Sequence, residues 1–113
     1  MKVGKMLYVT NREKWRKWLE KFHDKEKEIW LVNFKKGSRK LSIPYNDAVE
    51  EALCFGWIDG IEKGIDDEKF AQRFTPRKSK SRWSDSNKER VKRLIKDGKM
   101  TKAGLAVLGN ISI

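Results

Sequence analysis

Apolar residues recur at Trp15, Trp18, Leu19 and Phe22, while Lys14, Arg16, Lys17 and Lys21 fall between them. That i, i+3, i+4, i+7 spacing is one face of an amphipathic helix, predicted over about 11–23. Thr10 and Glu13 form a capping box in which each side chain satisfies the other's free backbone N–H. Upstream, residues 7–9 (Leu-Tyr-Val) read as a short edge strand. From Glu28 to Lys35 the period changes to two, with Trp30, Val32 and Phe34 on one side and Ile29 and Leu31 on the other. Apolar residues on both sides predict a central strand. Gly37-Ser38 is a turn signal, and Leu41-Ser42-Ile43 extends briefly.

Pro44 suits a helix start, and Asp47 and Glu50 suit its positive end. Ala48, Ala52 and Phe55 line one face with Val49 and Leu53 beside them, and Gly56 closes the helix in the left-handed conformation that glycine tolerates. Trp57–Ile65 and Lys69–Thr75 read as two strands joined by the acidic turn Asp66-Asp67-Glu68, with Pro76 ending the second. Residues 79–82 read as loop. Ser84, Asp85 or Ser86 caps a third helix whose apolar stripe is Val91, Leu94 and Ile95, and Gly98 stops it. Thr101 caps a short last helix. The order β-α-β-α-β-β-α-α predicts an α+β fold: one domain over 1–113, with a small, largely antiparallel sheet of three or four strands packed against three or four helices.

Composition fits this picture. At 113 residues with 38 % apolar content the chain is lean, but its five Trp, five Phe and two Tyr compensate, since each buried aromatic removes roughly 150–250 Å² from water. Cys54 is the only cysteine, which excludes an intramolecular disulfide. The N-terminal residues lack the apolar core of a signal peptide, and no apolar run approaches the ~20 residues that span a bilayer. A reducing, cytoplasmic location is expected.

Charge changes the picture most. Residues 1–68 carry 14 basic and 13 acidic side chains, whereas residues 69–102 carry 13 basic and three acidic. Nearly all of the net +11 therefore sits in one contiguous third of the chain, where it attracts polyanions.

The strings LCFGWIDG, QRFTPRKSKSRWS and NKERVKRLIKDGKMTKAG, in that order, together with WRKWLEKFHDKEKEIWLVNFKKG and IPYNDAVEEAL upstream, resemble the YdeI/OmpD-associated protein family over residues 7–108. The resemblance implies a loose link to bacteriocin protection or envelope stress, and no particular reaction or ligand. Relatives of that kind are longer, with a further basic helical segment.

Several residues are candidates for chemistry. Arg73 to Arg82 holds five cations in ten residues, and Trp83 follows at once. With Arg73, Arg77, Lys78, Lys80 and Arg82 in the loop, and Lys88, Arg90, Lys92, Arg93 and Lys96 on the third helix, one continuous phosphate-binding patch is expected. Trp83 would stack on a base if exposed; docking in the core beside the Ser cap is the preferred reading. Trp57 and Asp59, in GWIDG, are possible ligand contacts, with Asp59 either a tuned base facing Arg73 across the hairpin or a structural partner, the latter preferred. His23 and Cys54 do not sit in a thiol–imidazole signature; the thiol reads as a small buried hydrophobe. Gly56 and Gly60 serve backbone geometry. Asp47, Glu50 and Glu51 read as a helix-start charge set on a solvated face.

No catalytic or metal residue is expected, and no cofactor. The expected function is a non-enzymatic basic module that binds nucleic acid or another polyanion. Two alternatives are an envelope-stress or bacteriocin-protection role, and a small-ligand binder or enzyme centred on Asp59 and Arg73.

Overall fold

The computed structural model describes residues 3–78 and 82–109. It sets eight elements in the order that periodicity predicts: β1 (Met6–Leu7), α1 (Arg12–Phe22), β2 (Ile29–Phe34), α2 (Tyr45–Cys54), β3 (Trp57–Gly64), β4 (Lys69–Pro76), α3 (Asp85–Lys96) and α4 (Lys102–Ala106). The strands form one sheet in the order β1-β2-β4-β3. β1 runs parallel to β2 and the other two pairings are antiparallel. The result is an α+β domain with a mixed four-stranded sheet and four helices.

Register decides which residues meet. Ile29 pairs with Phe74 and Leu31 with Gln72, so these project to the helix-covered face, while Trp30 pairs with Arg73 and Val32 with Ala71 on the opposite face. The main core gathers Trp15 and Leu19 of α1, Ile29 and Leu31 of β2, Phe74 of β4, and the apolar side of α2. Trp15 stacks on Trp18 at 5.5 Å and meets Phe74 edge-on at 5.3 Å. Buried indole N–H groups need acceptors; Trp15 donates to Ala48 O at 3.0 Å and Trp57 to His23 O at 3.2 Å.

Three local expectations are corrected. Asn11 rather than Thr10 caps α1, accepting from the Lys14 backbone N–H at 3.0 Å; a short amide side chain is at least as good an N-cap as threonine. The first strand is Met6–Leu7, one residue earlier than expected. Leu41–Ile43 is not a strand; the Ser42 hydroxyl accepts from the Phe34 N–H at 2.6 Å, taking a bond a strand neighbour would have made.

Ser84 caps α3 and Thr101 caps α4, and the Thr101 hydroxyl also donates to Cys54 O at 2.6 Å. Gly56 adopts φ +76° at the end of α2. A Cβ there would approach Ala103 O to 2.9 Å, so both the conformation and the close packing of α4 require glycine. In β3, Gly60 and Ile61 form a bulge opposite Arg73.

Candidate functional site

Lys27, Arg73, Thr75, Arg77 and Lys78 line a shallow depression of about 620 Å³ at the end of β4. Arg73 is held there by Glu28 at 2.6 Å, whose other partner is the Trp30 indole at 2.7 Å. The Arg73 bond holds the Glu28 carboxyl below the usual carboxylate range, against a smaller opposing effect of burial.

Arg77 has no carboxylate partner among the described residues. Its guanidinium lies 3.9 Å from the centre of the Trp83 ring and donates to Arg82 O. The residue is only 8 % exposed. Burial alone pushes the guanidinium below its ordinary range, with no carboxylate nearby to oppose it. Two donors, Arg77 Nε and Trp83 Nε1, have no hydrogen-bond partner among the described residues. Trp83 is itself 8 % exposed and belongs to the core. It is therefore a lid on Arg77 and not a platform for a base. Lys80 lies outside the described residues.

The third-helix cations divide by residue type. Lys88, Lys92 and Lys96 follow one another at i, i+4 and i+8 and make no ion pair among the described residues. Arg93 pairs with Glu50, and Arg90 donates to Asn46 at 3.0 Å and to Asn87 at 3.0 Å. Of the cations expected in one patch, Arg73, Arg90 and Arg93 have side-chain partners within the fold and Arg77 lies under Trp83. Lys78, Arg82, Lys88, Lys92 and Lys96 keep their charge free of acidic partners among the described residues.

Asp59 and Arg73 do not meet. Asp59 pairs in register with Phe74, placing it on the helix-covered face, one residue out of step with Arg73. The Tyr45 hydroxyl donates to Asp59 at 2.6 Å. That bond, with burial next in effect, pushes the Tyr45 phenol up to about 12. Trp57, 1 % exposed, is a core residue. Cys54 is fully buried, and burial pushes its thiol up, which makes a poor nucleophile. His23 ends α1 with its ring Nδ1 2.7 Å from Leu19 O. Among the described residues no three His, Cys, Asp or Glu side chains gather as metal ligands would. No described helix is long and apolar enough to cross a membrane.

A family model described as a domain of unknown function (DUF8412) matches residues 7–107, nearly the whole chain. The chain belongs to the DUF8412 family. No curated protein and no solved structure matches it.

The feature of this DUF8412 domain that sequence reasoning missed is a buried charge network. Glu50 and Glu51 are 5 % and 2 % exposed, not a solvated face. Glu51 accepts from Arg12 Nε at 2.8 Å and from Arg16 Nη1 at 2.9 Å, and Glu50 from Arg12 Nη2 at 2.9 Å and from Arg93. Arg12 also reaches Asp47 at 3.1 Å. Three arginines from α1 and α3 thus clamp two carboxylates of α2. A signal for it existed: Arg12 and Arg16 stand four apart among lysines, and only a planar guanidinium fork suits two-pronged pairing with buried carboxylates.

Proposed function

We propose that this DUF8412 domain is a non-enzymatic basic module that binds nucleic acid or another polyanion across the β4 end and the outer side of α3. The observation that carries this reading is Arg77: a guanidinium nine-tenths buried, lowered by burial with no compensating carboxylate, beside Lys27 and Lys78 in one depression. A phosphate held at that depression supplies the missing opposite charge, which the low local dielectric strengthens. Lys88, Lys92 and Lys96 extend the positive surface along one helix.

Affinity for mixed-sequence single-stranded RNA and duplex DNA, measured by fluorescence anisotropy against salt, tests it. Binding is expected at about 50 mM salt, and log K should fall linearly with log salt, by roughly 0.7 to 0.9 per phosphate contacted. Replacing Lys88, Lys92 and Lys96 with Gln should lower that slope by about two to three. These lysines are outside the core, so the variant should keep its fold. No binding at about 50 mM salt, or a slope unchanged by the triple variant, refutes the reading. The YdeI/OmpD resemblance suggests an envelope role instead, but no structural feature favours it.

A further inference from the structure

On the helix-covered face of the sheet, where β2 and β4 meet the start of α2, the fold leaves a half-enclosed pocket of about 150 Å³. Its floor is apolar: Leu31, Ile43, Phe70 and Phe74. Its polar groups all offer acceptor oxygens. Gln72 is 5 % exposed and turns its Nε2 to Gly60 O, which leaves its carbonyl oxygen free to accept. Asn33 directs its amide nitrogen to Leu31 O at 3.3 Å, likewise freeing an oxygen. The Tyr45 hydroxyl proton is committed to Asp59, and the raised phenol keeps that proton in place at ordinary pH. Glu62 completes the wall and makes no ion pair among the described residues.

The bulge explains why Glu62 is there. Glu62, not Ile61, sits opposite Gln72, because Gly60 and Ile61 together oppose Arg73. Without that extra residue Ile61 would face the pocket and Glu62 would turn to the other side of the sheet. Instead Ile61 stays 48 % exposed. The backbone thus gives up burial of an isoleucine to place a carboxylate at the mouth of an apolar pocket, and bulges commonly re-aim side chains at functional sites. Although the chain holds 27 Lys and Arg residues, no cation lines this cavity. Arg90, whose charge acts on Tyr45, is tied to Asn46 and Asn87.

We propose that this pocket is a binding site for a small monocationic amine with a compact apolar body. An apolar floor ringed by acceptors and a carboxylate takes a ligand that brings its own donors and a positive charge, and it rejects anions. The volume sets the size, since an apolar cavity of about 150 Å³ accommodates a benzene-sized group. The site is separate from the cationic depression, so it stands whether or not the protein binds polyanions.

Titration with benzylamine, followed by amide chemical shifts in the full chain, tests it, with benzyl alcohol and benzoate as controls of matching shape. Saturable shifts are expected at Asn33, Ala48, Phe70 and Gln72. Benzyl alcohol should bind at least about tenfold more weakly, because it lacks the charge met by Glu62, and benzoate should not bind. Glu62→Gln, at an exposed position, should weaken benzylamine about tenfold while leaving benzyl alcohol unchanged. Absence of saturable shifts, equal affinity for amine and alcohol, or an unaffected Glu62→Gln variant overturns the proposal.

Discussion

Replacing Glu51 with Gln tests whether the three-helix clamp holds the fold. The Glu51 side chain is 3 % exposed and accepts from Arg12 through Nε and Nη2 and from Arg16 through Nη1. Gln can keep its oxygen on the two Arg12 donors, which share Oε2, but then turns an NH₂ group toward Arg16, so one of the three bonds is lost together with the negative charge that all three shared. Hydrogen bonds to charged groups contribute about 1.5–3 kcal/mol each. Both arginines are 28 % exposed, and Arg12 retains Asp47 and Glu50, which lets water and the remaining acids recover part of the loss. The expected cost is about 3 kcal/mol, at the low end for breaking a buried ion pair. Urea unfolding followed by tryptophan fluorescence measures it. With m of about 1–3 kcal/mol/M for a small domain, the midpoint should fall by about 1–3 M at unchanged m. Lys5→Ala provides the contrast, because Lys5 pairs with Glu26 at 2.8 Å but is 64 % exposed, and such a pair contributes about 0–1 kcal/mol. If Glu51→Gln costs no more than Lys5→Ala, Glu51 is not buried against charge and the reasoning fails.

Asp59→Asn should return the Tyr45 phenol from about 12 toward the ordinary value of about 10, read from tyrosine ring NMR shifts. The raised phenol contributes stability that is present below its ordinary value and lost as pH rises through about 12, so the variant, which lacks that contribution throughout, should be less stable at neutral pH and show a flatter loss on the alkaline side. Glu28, lowered chiefly by Arg73, contributes stability that is present above the ordinary glutamate range and disappears as pH falls through its lowered value. Glu28→Gln should therefore flatten the loss of urea midpoint between about pH 5 and pH 3. Gly56→Ala should cost about 1–3 kcal/mol in the same assay, since φ +76° and contact with Ala103 O at 2.9 Å both oppose a Cβ; a parental midpoint would mean that α4 does not pack there.

Element type and order were legible because the apolar period switches cleanly: 3.6 in Trp15–Phe22, two in Ile29–Phe34. Glycine and serine marked the ends, as Gly56, Gly98 and Ser84 show. The core position of Trp83 was legible too, through the Ser cap beside it. What the sequence could not show was partnership across elements. Glu50 and Glu51 look like a polar helix face, because nothing local records that Arg12, Arg16 and Arg93 arrive from elsewhere. Asp59 and Arg73 looked like neighbours because a regular hairpin brings such positions close. The register instead sets Asp59 against Phe74, so alternation sends Asp59 and Arg73 to opposite sides of the sheet. Tyr45 and Gln72 went unnoticed for the same reason: each is ordinary in its own segment and acquires meaning only where α2 crosses β4.

The division of labour between the two basic residues bears directly on the kind of partner expected. Arg12, Arg16, Arg73, Arg77 and Arg93 are spent on carboxylates or on an indole face, and Arg90 on two amides. The charges left facing water on α3 are the lysines Lys88, Lys92 and Lys96. Discrimination of a base by hydrogen bonding relies on paired donors in a fixed fork, which arginine offers and an ammonium does not. Under the proposed reading, a lysine stripe contacts phosphate without reading sequence. Trp83, folded over Arg77, is withheld from stacking on a base. The contacts proposed are therefore to the backbone, and affinities for unrelated sequences of equal length should agree within a few-fold at matched salt. A strong preference for one sequence would require guanidinium forks, and on this surface Arg73, Arg77, Arg90 and Arg93 are already committed, leaving Arg82.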